Sequence, residues 1–82
     1  MKTLLSEKER MQGGAIVRYR LYVGKTGEYE MEVTGGGCAS LVSLGSELLR
    51  AAFVYDKMYA SDVAACHVKD VLADLTFEEK NP

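Results

Sequence analysis

Residues 15–24 alternate between two faces: Val17, Tyr19, Leu21 and Val23 on one, Ile16, Arg18, Arg20 and Tyr22 on the other. A period of two with one polar face marks a half-buried strand. Residues 28–34 repeat the pattern, with Tyr29, Met31 and Val33 inward and Glu28, Glu30 and Glu32 outward. Like faces meet when Leu21 pairs with Met31. That register also sets Val23 opposite Tyr29, Tyr19 opposite Val33, and Arg20 opposite Glu32. The connection is then Lys25-Thr26-Gly27, a three-residue turn with Gly27 where φ must be positive. A slip of one residue would set Met31 opposite Arg20 and lose the face match.

Gly35-Gly36-Gly37 predicts a second turn. Cys38–Leu44 then reads as a third strand, with Leu41, Val42 and Leu44 as candidates for burial. All eight glycines lie between Gly13 and Gly45, and residues 46–80 contain neither Gly nor Pro. Helix therefore belongs to the second half. Ser46 is the expected N-cap of a first helix over 47–59, with Glu47 in its first turn, where the helix dipole favours a carboxylate. Leu48, Ala52, Tyr55 and Tyr59 recur near helical spacing, and Leu49, Phe53 and Met58 widen the stripe. Ser61 is the expected cap of a second helix over 62–75, whose stripe is Ala64, Val68, Val71, Leu72 and Leu75.

The expected organisation is a flexible charged lead-in over 1–14, a single α+β domain over 15–76 and a frayed acidic tail over 77–82. The fold class is α+β: a three-stranded antiparallel β-meander followed by two α-helices packed on one face, in the order β-β-β-α-α.

Composition agrees with one small globular domain: 82 residues, 48% hydrophobic and net charge −2. It excludes an intrinsically disordered chain. No apolar run approaches the roughly 18–20 residues of a membrane span. Residues 1–12 hold only Leu4 and Leu5 as an apolar stretch, so no signal peptide is expected and the setting is read as cytoplasmic. Cys38 and Cys66 are then expected as free thiols. Residues 1–25 carry six basic and two acidic residues, while residues 26–82 carry four basic and ten acidic. An acidic second half argues against that half lying on nucleic acid.

Several residue groups could carry chemistry. Cys66-His67 invites a thiolate–imidazole reading, but adjacent helix positions point about 100° apart and do not face each other. Cys38, Cys66 and His67 could join a carboxylate around a metal, yet no C-x-x-C or H-x-x-x-H spacing occurs. Gly35-Gly36-Gly37-Cys38 resembles a phosphate cradle only in its glycines, since it leads into a strand and no Lys-Ser/Thr follows. Arg18 and Arg20 beside Tyr19 and Tyr22 could meet nucleic acid. In the register above, however, the arginines face Glu30, Glu32 and Thr34. The second helix carries one cation, Lys69, against Asp62, Asp70 and Asp74, the wrong sign for a recognition helix. No catalytic residue, metal ligand or cofactor is therefore assigned.

The run His67-Val68-Lys69-Asp70-Val71-Leu72-Ala73-Asp74-Leu75 resembles the carboxyl-terminal signature of a family of short, uncharacterised bacterial proteins. In that family a His, an aliphatic residue, a basic residue and Asp precede apolar positions and a further acid. Where the family has a Thr-Pro helix start, this chain reads Ser61-Asp62-Val63-Ala64-Ala65-Cys66. The resemblance implies a shape and no activity.

The first helix is apolar around much of its circumference, and surplus apolar surface marks a protein–protein patch. The leading expectation is a small non-catalytic binding or regulatory module, with a protein partner or a second copy as its occupant. Phe53, Val54, Met58 and Tyr59 are the candidate patch, with Ile16 and Tyr22 on the outer sheet face. The alternative is a thiol-based enzyme or redox-responsive protein using Cys66 or Cys38. A nucleic-acid-associated role stands third.

Overall fold

A computed structural model describes residues 2–61 and 63–73 of the chain. Its frame is one antiparallel sheet of β1 (Thr3–Gln12), β2 (Ala15–Val23), β3 (Tyr29–Gly35) and β4 (Cys38–Gly45), arranged in chain order. Helix α1 (Leu48–Ala60) follows, then a 3-10 turn at Ala65–His67 that continues as helix through residue 73.

The β2–β3 register is the expected one, including Leu21 opposite Met31 and Arg20 opposite Glu32. Gly27 takes a φ of +81° in the connecting turn, which Gly24 and Glu28 close with a 2.8 Å backbone hydrogen bond. The α+β class holds, but three strands is a miscount, because residues 3–12 of the expected lead-in are a fourth strand. Gly13 and Gly14, at φ of +56° and +85°, make a two-residue hairpin that sets Gln12 opposite Ala15. The inward positions of β1 are Ser6, Lys8, Arg10 and Gln12, which gives no apolar alternation to read. Two salt bridges to β2, Arg20–Glu7 and Arg18–Glu9, reinforce the pairing on the outer face.

The core lies between the sheet and the helical segment. Val17, Tyr19, Leu21, Met31, Val33, Val42 and Leu44 come from the sheet. Ala51, Val54, Tyr55, Met58, Val63, Ala65 and Val68 face them. Leu41, expected inside, points outward beside Glu32. The buried stripe of α1 is Ala51, Val54, Tyr55 and Met58, rotated from the expected one, and Leu48, Leu49 and Phe53 are exposed. These four positions also follow helical spacing, so periodicity alone could not choose between the faces.

Capping differs from expectation as well. Glu47, not Ser46, precedes the first helical residue and makes no side-chain cap bond. Ser61 closes α1, its N–H bonded to the Lys57 carbonyl at 2.9 Å, and does not open a second helix. The expected continuation to residue 75 and the 77–82 tail lie outside the described residues.

Candidate functional site

Each face of the sheet assembles a different kind of surface. On the inner face, β1 flanks α1 with cations where the other strands present apolar side chains. Lys8 Nζ lies 4.9 Å from the Tyr59 ring centre and 5.3 Å from that of Tyr55, and it bonds Asp56 at 3.1 Å. The Arg10 guanidinium sits 4.3 Å from the Tyr59 ring. Tyr59 meets Tyr19 edge-on at 5.4 Å. Cation–ring contacts at such partly exposed sites are each worth about 0.5–1 kcal/mol.

Beneath them two buried tyrosines tie the layers together. Tyr55 Oη donates to the Tyr19 carbonyl at 2.7 Å, and Tyr19 Oη donates to the Val63 carbonyl at 2.6 Å. Gln12 Nε2 donates to the Tyr19 hydroxyl at 3.2 Å. Burial pushes the Tyr55 phenol above its ordinary range, because the charged form would lose its hydration there.

The outer face carries a lattice of alternating charge. Arg20 reaches both Glu7 and Glu32, and these two carboxylates hold its guanidinium above the ordinary arginine range. Tyr22 Oη donates to Glu32 at 3.4 Å. Ile16 and Met11 are exposed at the hairpin end, where with Glu9 and Arg10 they line a shallow open hollow. The two arginines are thus engaged by glutamates of their own sheet. Among the described residues, no three His, Cys, Asp or Glu gather in a way that could hold a metal ion.

The expected patch on α1 divides. Val54 and Met58 are 1% and 0% exposed, so they belong to the core and offer no surface. Tyr59 is half-buried under the two cations. Phe53 is 57% exposed, and Leu49, one turn earlier, is 79% exposed. Leu48 and Ala52 form a parallel pair beside them, since residues four apart are neighbours on a helix. The accessible apolar ground is therefore the amino-terminal half of α1. Leu48 and Leu49 stand in the apolar stripe expected from the sequence but outside the expected patch, and the structure exposes both.

Comparison with family models, curated proteins and solved structures finds no match.

Cys38 and Cys66 correct a second expectation. They are bonded to each other, and no described cysteine is free. Cys38 opens β4, and Ser40, two residues on, donates from Oγ to the Ala65 carbonyl at 2.6 Å. The Ala65–His67 turn is thereby held over the start of β4, with the two Cα atoms 5.6 Å apart, inside the range a disulfide spans. A thiolate–imidazole pair at Cys66-His67 would first need this bond opened. Cys66 is exposed and Cys38 half-buried. No helix among the described residues is long and apolar enough to cross a membrane.

Proposed function

We propose that this chain is a small non-catalytic protein-binding module that presents the amino-terminal half of α1 to a protein partner. The observation that carries this reading is the exposure of Leu49 and Phe53 on successive turns, flanked by Leu48, on a helix anchored from its other side by Ala51, Val54, Tyr55 and Met58. Single exposed apolar residues are ordinary, whereas a contiguous group on a rigid helix is the usual core of an interface. The double substitution Leu49→Ser/Phe53→Ser should leave the unfolding midpoint close to wild type, since both side chains point to solvent. A nuclease-treated capture from native lysate, read by mass spectrometry, should retain a stoichiometric protein on the wild type and lose it on the variant. Equal retention on both would remove α1 from the reading.

The disulfide favours a second reading, in which binding answers to redox state. Exposed disulfides are the ones dithiols reach first. In the cytoplasmic setting expected for this chain, the Cys38–Cys66 bond would exchange with cellular dithiols. Acid quenching followed by alkylation and mass measurement would give the reduced fraction in cells. A bond that stays fully closed under reductive challenge ends this reading. Kinship with the short bacterial family of the His67-Val68-Lys69-Asp70 signature is also proposed here, and it adds no activity.

A further inference from the structure

The sheet has two edges, and their chemistry differs. β1 carries Glu7 and Glu9 outward and Lys8 and Arg10 inward. Antiparallel pairing of β1 with its own copy brings same-face residues together. A two-fold centred on Lys8 sets Glu7 against the copy's Glu9 and Lys8 against itself. A shift to Glu9 as centre sets Glu9 against itself and Lys8 against Arg10. Like charges directly opposite are destabilising, and such charges are the common way an edge is kept from self-pairing.

β4, at the other edge, reads Cys38-Ala39-Ser40-Leu41-Val42-Ser43-Leu44-Gly45 and contains no charge and no proline. Its outer side makes no backbone hydrogen bond to another segment among the described residues. The Ala65–His67 turn lies on its inner face through Ser40 and the disulfide, which leaves the in-plane direction as the approach. Leu41 stands on the outer face at 45% exposure.

We infer that β4 is the contact between two copies of this chain, joined antiparallel about a two-fold axis at Leu41 into one eight-stranded sheet. In that register Leu41 meets Leu41 of the copy, Val42 meets Ser40, and Ala39 meets Ser43. Every pair is small or aliphatic and none is charged. The occupant is a second copy because the strand is complementary to itself in this register. This surface is separate from the α1 patch, so either reading can fail without the other.

A charge-swap experiment at the axis tests the inference. Leu41 already faces solvent, so Leu41→Lys and Leu41→Glu should both fold with the wild-type circular dichroism spectrum. Sedimentation equilibrium should show the wild type as a dimer. Each variant alone should show a dissociation constant raised at least about tenfold, and an equimolar mixture of the two should recover the dimer. Leu49→Ser/Phe53→Ser should dimerise as the wild type does. Hydrogen exchange of wild-type β4 amides should slow as concentration rises. A monomer at all concentrations, a mass ladder beyond the dimer, or dimers unaffected by either charge would each overturn the inference.

Discussion

Opening the Cys38–Cys66 bond should bring the fold close to its unfolding limit. The bond closes a segment of 28 residues that contains the end of the sheet and all of α1. In the chain-entropy account, a cross-link over that separation removes enough freedom from the unfolded ensemble to stabilise the fold by about 3–4 kcal/mol. One core in a domain of this size supplies only ~3–5 kcal/mol of net stability. The assay is urea unfolding followed by circular dichroism, comparing oxidised wild type, wild type in dithiothreitol and Cys38→Ser/Cys66→Ser. With a slope of about 1–1.5 kcal/mol/M, the midpoint should fall by roughly 2–4 M on reduction. The slope should also rise, because the unlinked unfolded chain exposes more surface. The double variant should match the reduced wild type. A midpoint shift below about 0.5 M, with alkylation and mass confirming that the starting protein is oxidised, would refute the reasoning.

Four further outcomes follow from the packing. Gly35→Ala should lose about 3 kcal/mol or more in the same assay: an added Cβ would lie 2.6 Å from the Ile16 carbonyl oxygen and 2.9 Å from Val17 Cα, at a φ of +150°. Gly27→Ala should cost about 1 kcal/mol and clearly more than Thr26→Ala, because Gly27 holds a φ of +81° with open space around it. Tyr55→Phe should cost about 1 kcal/mol at neutral pH through loss of the bond to the Tyr19 carbonyl, read as a lower thermal midpoint. Because the folded-state pKa of Tyr55 is raised, its contribution is complete below the ordinary tyrosine value of about 10 and is lost as pH rises through the higher folded value. An alkaline titration of thermal midpoints should therefore fall more steeply for wild type than for Tyr55→Phe.

The parts of the fold legible in the sequence are those where one face is apolar and the other is not. β2 and β3 alternate so strictly that a single register matches both faces, and the turn at Gly27 follows from it. The strand β1 escaped because both its faces are polar. Its evidence was of another kind: the run Glu7-Lys8-Glu9-Arg10 alternates in sign with the period of a strand, and Gly13-Gly14 is a two-residue hairpin signal. On α1 the difficulty was the reverse. With apolar residues on all sides, only the sheet decides that Val54 and Met58 go inward and Leu49 and Phe53 stay out. The disulfide was invisible for a third reason: the proximity of Cys38 and Cys66 exists only once the chain has turned back across β4.

The same absence of an apolar face on β1 gives it a distinct role in the packing. An apolar strand at that edge would need covering by a further element. Lys8 and Arg10 instead set their charged ends over the half-buried Tyr59 ring, with Lys8 also beside Tyr55 and bonded to the exposed Asp56. They close the side of the core with groups that need no cover, while Glu7 and Glu9 bind the neighbouring arginines on the outer face. One strand of alternating charge thus seals the core, pins β2 and resists pairing with its own copy. The opposite edge has none of these features. The asymmetry between β1 and β4 is the ground on which the in-plane contact inferred above is assigned to β4.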